Sequence, residues 1–409
     1  MKTNNQIYKN TAMMMLLNIS KLVFPFITLP YLTRVLTTDC YGVVAYVKAV
    51  MSYMQIIVDF GFGLSATKSI AENRNNKFIV GKILGINIGA KMLLIVLAGL
   101  FLSIASFMIP ILKQNIVYTL FSYIPVALTI FSLDFLFKGI EKMHVITVRF
   151  VIMKFISTVL TFGCIKRDAD IIKMPLWDIV GTLIAIIWIG IEVKKLDIHV
   201  VVPNLRECIL EIKRSAIYFV STFASTSFNV FNTVVSGIVL SSTEIAYWSV
   251  CMQIINAMQA LYTPVSDAIY PEMIRSKNSR LIKKVIELLG PIVCIVCILL
   301  CICGKWILYI VGGNKYVEAY STLKYLLPVL VFGFGSVILG WPALGAIGKV
   351  RETSLSTVVA SGFQMISVLL LTKLNLLSLA VMAVLRSITE LILCLIRLRY
   401  CIKYKNGFK

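Results

Sequence analysis

The chain has 409 residues, 59% of them hydrophobic and only 14% charged, and its mean hydropathy is +0.89. A soluble domain is about a quarter charged, so this composition excludes an ordinary soluble enzyme or binding module and points to a polytopic α-helical membrane protein. The formal net charge of +21 does not argue for nucleic acid, because Lys and Arg collect in cytoplasmic loops under the positive-inside rule and suit an anionic lipid surface.

In chain order, twelve apolar stretches are long enough to cross a bilayer, which takes about 20 residues. They run from Thr11 to Leu32, Tyr41 to Phe62, Ile83 to Leu112, Asn115 to Phe137, His144 to Ile165, and Met174 to Ile191. The second set runs from Ser215 to Val239, Ile245 to Tyr270, Leu288 to Val311, Tyr325 to Ile347, Leu355 to Leu371, and Leu376 to Ile396. The fifth and sixth are the weakest. The expected fold is an all-α integral membrane protein with about 12 transmembrane helices. It divides into an N-terminal six-helix bundle (1–193), a cytoplasmic amphipathic linker (194–214) and a C-terminal six-helix bundle (215–409).

Counting the loops and the residues at span ends, about 26 Lys and Arg fall on the side of the N-terminus and about 9 on the other. Both termini are therefore expected in the cytoplasm. The longest polar connection, Lys194 to Arg214, is read as a helix lying on the inner surface. No phosphate-binding GxxxxGK[ST] loop appears, so a self-contained ATPase is not expected. The run Cys294, Cys297, Cys301 and Cys303 lies in an apolar helix without His or acid, where Cys acts as a small hydrophobe. No metal, disulfide or cofactor is expected.

A faint repeat relates the halves. At an offset of 204, Val35-Leu36-Thr37-Thr38 falls on Val239-Leu240-Ser241-Ser242, and Met54-Gln55 on Met258-Gln259. Internal repeats are characteristic of secondary transporters. Polar stripes follow the same offset. Asn18, Lys21, Pro25 and Thr28 share one face of the first span; Lys48, Ser52, Gln55 and Asp59 share one face of the second. The shifted positions hold Ser225, Asn229 and Asn232 in the seventh span and Asn256, Gln259 and Thr263 in the eighth. The stripes are expected to line a cavity between the halves.

A cation at the centre of a span costs about 2.5–3.5 kcal/mol on insertion scales. Lys21, Lys48, Lys91, Lys154 and Arg386 are candidate cavity cations, suited to an anionic ligand. Asn18, Ser52, Gln55, Ser225, Asn229, Asn232, Asn256 and Gln259 are candidate polar contacts, able to bond sugar hydroxyls. Asp59 and Glu390 are candidates for ion coupling. Plainer readings stand beside these: Asp59 capping its helix or pairing with Lys68, Lys91 snorkelling to the interface, and Arg386–Glu390 as a structural i, i+4 pair. Asp134, at a helix end, is read as structural. The two histidines, His144 and His199, are interfacial, and no HExxH or GxSxG motif is present, so an enzyme is not expected.

The stretch PFITLPYLTRVL (Pro25 to Leu36), then Tyr41-Gly42, then DFGFGLSATKSIAENR (Asp59 to Arg74) resembles the start of Wzx-type O-antigen and polysaccharide repeat-unit flippases. These belong to the multidrug/oligosaccharidyl-lipid/polysaccharide exporter superfamily. The segment YTPVSDAIYPEM (Tyr262 to Met273) is similar more loosely. Where the family has Gly-Pro-Glu-Gly before Tyr-Gly, this chain has Thr37-Thr38-Asp39-Cys40. The resemblance implies two six-helix bundles in a MATE-like V, and a substrate of undecaprenyl diphosphate carrying an oligosaccharide. This would be moved from the inner to the outer leaflet of the bacterial inner membrane by alternating access and ion antiport. It also implies membrane lipid, a polysaccharide polymerase and a chain-length regulator as partners, and assigns Lys21 and Lys48 as cavity cations and Asp59 as the acid of the DFG stretch. The rivals are a multidrug or cation antiporter of the same superfamily, a lipid-linked peptidoglycan precursor flippase and, more remotely, a membrane polysaccharide polymerase.

Overall fold

The computed structural model describes residues 2–408, excepting the side chains of residues 2–5, 7, 221, 225, 228 and 229. The chain is 88% helical. The helices are α1 Lys2–Val35, α2 Thr38–Asp59, α3 Phe62–Glu72, α4 Lys77–Met108, α5 Pro110–Gln114, α6 Ile116–Leu128, α7 Asp134–Gly139, α8 Met143–Cys164 and α9 Lys173–Lys194. They continue as α10 Leu205–Val239, α11 Ser242–Gln259, α12 Tyr262–Ser276, α13 Ser279–Gly312, α14 Tyr320–Leu326, α15 Pro328–Ile338, α16 Val350–Lys373 and α17 Leu379–Lys403. Two compact units, Met1–Phe223 and Ala224–Lys409, divide the chain, with the boundary inside α10.

Among the described residues, ten helical stretches are long and apolar enough to cross a membrane. α13 shows why lipid is needed. Leu288, Ile292, Ile295, Ile298, Leu299 and Ile302 are all exposed along it, an apolar face that water would not tolerate. Trp306 and Tyr309 stand exposed toward its end, as aromatic residues do at a bilayer interface.

Helix ends obey the repeat more strictly than the residues do. α1 and α10 end at Val35 and Val239, α2 and α11 begin at Thr38 and Ser242, and α3 and α12 end at Glu72 and Ser276. Each pair is 204 positions apart. The N-cap hydroxyls of Thr37 and Ser241, also 204 apart, accept from the backbone N–H groups of Cys40 and Glu244, the usual way to satisfy the orphan donors of a first turn.

Several expected spans are broken. The second is interrupted at Phe60 and Gly61, both left-handed (φ 38° and 81°). A Cβ on Gly61 would lie 2.6 Å from that of Tyr218, so only glycine admits the approach of α10. The fourth breaks at Leu133 (φ 48°) between α6 and α7. The eighth breaks between α11 and α12, and the tenth divides at Pro328 and again at Gly340, whose ψ of −108° is not helical.

The connection between the halves differs from the expected surface helix. Residues 195–204 are mostly irregular, and α10 begins only at Leu205. Pro203 cannot donate within a helix and disfavours helical backbone at Val202. Instead the irregular segment lies along α4 over Gly81, Gly85 and Gly89. A Cβ at Gly81 would sit 2.0 Å from the His199 carbonyl oxygen, and one at Gly85 1.8 Å from that of Val201. Val201 donates its N–H to the Gly81 carbonyl (3.2 Å). Lys77–Asp197 (3.0 Å) and Lys82–Glu207 (2.7 Å) fasten the two ends. Hydrogen bonding and charge from Lys77 hold the Asp197 carboxyl below its usual range. Glu207 is held down likewise by Lys82 and by the Asn204 N–H.

Candidate functional site

In the first unit, α2 is buried without interruption from Tyr41 to Met51 except at Lys48, whose side chain is exposed. Lys48 makes no ion pair or hydrogen bond through its ammonium group among the described residues. The charges that act on it are Lys154 on α8 and Asp178 on α9. α2 packs on α6, α6 on α9 and α9 on α8, which is how three distant segments meet. Lys154 Nζ lies 3.1 Å from Asp178 Oδ1, and Ser157 Oγ donates to the same oxygen at 2.7 Å. The Lys154 and Asp178 side chains are 35% and 36% exposed. The buried phenol of Tyr118, on α6, also feels the Asp178 charge. Two ammonium groups and one carboxylate leave the cluster one positive charge in excess, which favours an anion.

The other first-unit candidates divide. Lys91 does not snorkel: it is 4% exposed, because its ammonium meets Asp59 Oδ1 at 2.8 Å. Gln55 donates to Asp59 Oδ2 (2.8 Å) and to Thr129 Oγ1 (3.1 Å), the latter reachable because the chain turns between α6 and α7. Thus Asp59 pairs with Lys91 rather than with Lys68. Ser52 turns its hydroxyl back to the Lys48 carbonyl (3.0 Å). Lys21 is exposed on α1, 6.0 Å from the Phe150 ring centroid. It lies within reach of the charges of Lys138, Asp134 and Arg149, the last two joined at 2.9 Å. Asn18 is exposed on the same helix.

In the second unit the candidate charges are sealed. Arg386 is 2% exposed, and its Nη2 lies 3.2 Å from Glu390 Oε2. Arg386 also donates to Gln364 Oε1 (3.3 Å), and Gln364 donates to Asn232 Oδ1 (2.9 Å). Ser336 donates to Glu390 Oε1 (3.0 Å), and Arg397 donates to the Ser336 carbonyl (2.6 Å) and to Ser356 (3.1 Å). Gln259 reaches the Val329 carbonyl (3.4 Å), and Asn256 is exposed. The side chains of Ser225 and Asn229 lie outside the described residues.

Sequence reasoning missed Asp178, Ser157, Gln364, Ser336 and Arg397. Asp178 carried a readable signal, an acid inside the sixth apolar stretch, one span after a lysine inside the fifth. Ser157 follows Lys154 by three positions, on the same helical face.

The family model described as "Polysaccharide biosynthesis protein" matches residues 7–277. Among curated relatives, the "Putative O-antigen transporter" of Escherichia coli (strain K12) is 28% identical over 299 residues, 72% of each chain. That of Shigella dysenteriae is 27% identical over 268 residues, 65% of this chain and 67% of the other. Among solved structures, the lipid II flippase MurJ in an inward closed conformation aligns with a TM-score of 0.69 at 15% identity, over 98% of this chain and 89% of that one. An inward-facing multidrug resistance MATE family transporter of the MOP superfamily aligns with a TM-score of 0.65 at 14% identity, over 94% and 98%. The chain is a multi-pass membrane protein that belongs to the polysaccharide biosynthesis protein family and has the fold of the MATE and MurJ transporters.

Proposed function

We propose that this protein flips an undecaprenyl-diphosphate-linked oligosaccharide, the repeat unit of an O-antigen or similar surface polysaccharide, from the inner to the outer leaflet of the bacterial inner membrane. A glycan headgroup crosses hydrocarbon slowly because its hydroxyls lose their hydrogen bonds. A polar path supplies substitutes while the polyprenyl tail stays in lipid. The observation that carries the reading is Lys48, an exposed cation in an otherwise buried stretch of α2, joined to the names of the curated relatives. Lys is a mobile point charge that can follow a diphosphate. In this reading Lys48, Lys154 and Lys21 attract the anionic group, Asn18 contacts sugar, and alternating access is driven by ion antiport. Lys91, Asp59, Arg386 and Glu390 hold the structure through their pairs. Both termini face the cytoplasm, and a polymerase and chain-length regulator act on the product.

Deletion and complementation in the source bacterium tests this. Deletion should remove surface polysaccharide and trap the lipid-linked unit in the inner leaflet, and restoring the gene should reverse both. Unchanged polysaccharide with raised drug accumulation would establish the drug exporter instead, and arrested peptidoglycan synthesis the peptidoglycan precursor flippase.

A further inference from the structure

The Lys154–Asp178 pair stands beside Lys48, whose ammonium group has no ion pair or hydrogen bond among the described residues. The pair inside the second unit's spans, Arg386–Glu390, is closed off. Lys154–Asp178 leaves about a third of each side chain exposed. Only Asp178 Oδ1 is engaged, by Lys154 and Ser157; Oδ2 takes no hydrogen bond among the described residues. Lys48 feels both charges and pairs with neither.

We infer that Asp178 is a built-in substitute for the substrate's anionic group: it neutralises Lys154 when the site is empty and is displaced from Lys154 when the substrate's diphosphate binds Lys48 and Lys154 together. This rests on the flippase reading and adds to it the residue that sets affinity and release. The Lys48 and Lys154 charges act on each other repulsively, and without a counter-anion an empty site would hold its ligand too tightly to let it go. Asp178 competes for the same ammonium and recovers it as the ligand departs. Ser157 is the positioning residue. Its hydroxyl holds Oδ1 toward Lys154 in the empty state.

The test uses the full-length chain in lipid nanodiscs, with farnesyl diphosphate as the probe and farnesol and glucuronate as controls. Asp178→Asn should bind farnesyl diphosphate about tenfold more tightly than wild type, as expected when one charge-assisted competitor is removed, yet complement the deletion strain poorly. Asp178→Glu should restore wild-type affinity, and Lys154→Gln added to Asp178→Asn should abolish the gain. If wild type binds the diphosphate and Asp178→Asn binds it no more tightly, or only melts earlier, the inference falls and the flippase reading stands. If wild type, Asp178→Asn and Asp178→Glu all fail to bind it, both fall. Binding of glucuronate but not of the diphosphate would overturn the assignment in favour of an acidic sugar.

Discussion

Lys154–Asp178 and Arg386–Glu390 are ion pairs of nearly equal length, 3.1 and 3.2 Å, in different surroundings. The first is one-third open and shares its neighbourhood with Lys48, a cation that has no ion pair among the described residues. The second is sealed, at 2% and 5% side-chain exposure, and is extended by Gln364, Ser336 and Arg397. The difference teaches that a charge inside an apolar span has two meanings. Where every partner comes from the protein, the charge orders helix packing. Where the charge stays exposed, it is available to a ligand.

The largest effect should come from breaking the sealed pair. Arg386→Met or Glu390→Gln strands a buried partner, which costs about 3–5 kcal/mol. Thermal melting of the purified protein should fall sharply for either, and replacing both residues by apolar ones should recover much of the loss. Equal melting of the single variants and wild type would erase the contrast between the two sites.

Next comes Lys48→Ala. It removes no ion pair, so melting should be unchanged. Loss of a charge-assisted contact worth about 1.5–3 kcal/mol should lower complementation about tenfold or more. Normal surface polysaccharide at normal expression would show that the free lysine is not a ligand contact.

A smaller effect is expected in the connecting segment. Gly85→Ala places a methyl group 1.8 Å from the Val201 carbonyl oxygen, so backbone must move, at about 1–3 kcal/mol for an overpacked site. Limited proteolysis should then cut between residues 198 and 203 faster than in wild type.

The smallest effect concerns pH. Asp197 and Glu207 have depressed carboxyl pKa values beside Lys77 and Lys82. Their contribution to holding the segment is therefore present above the unfolded carboxylate values of about 4 and lost as pH falls through the lower folded values. Protection from proteolysis should weaken over that acid window, using an acid-active protease, and should weaken at neutral pH in high salt, since exposed pairs are screened. A segment equally protected at all pH values would assign its attachment to the glycine groove alone.

The positions of most spans were legible because long apolar runs have few alternatives in lipid, where every backbone group needs an internal partner. Met143–Cys164 and Lys173–Lys194 lie within a few residues of the expected fifth and sixth spans, the two weakest by composition. The offset of 204 was legible in a few residue matches and reappears in the helix ends. The breaks at Phe60–Gly61 and Leu133 were hidden, since nothing in FGFG or SLD specifies left-handed backbone without the helices that pack there. The glycines at 81, 85 and 89 were visible at helical spacing, but their purpose depends on a segment more than 100 positions away.

The chemistry divides in the same way. The sequence by itself determined that this is a membrane-spanning helical protein with basic charges inside apolar spans, because composition and run length decide partition into a bilayer. It could not say which of those charges are neutralised, since a partner for Lys91 lies 32 positions back and one for Lys154 lies 24 ahead on another helix. Only the tertiary structure decided that Lys91 and Arg386 are enclosed while Lys48 and Lys154 stay reachable, because exposure and pairing are properties of packed helices and not of any one of them.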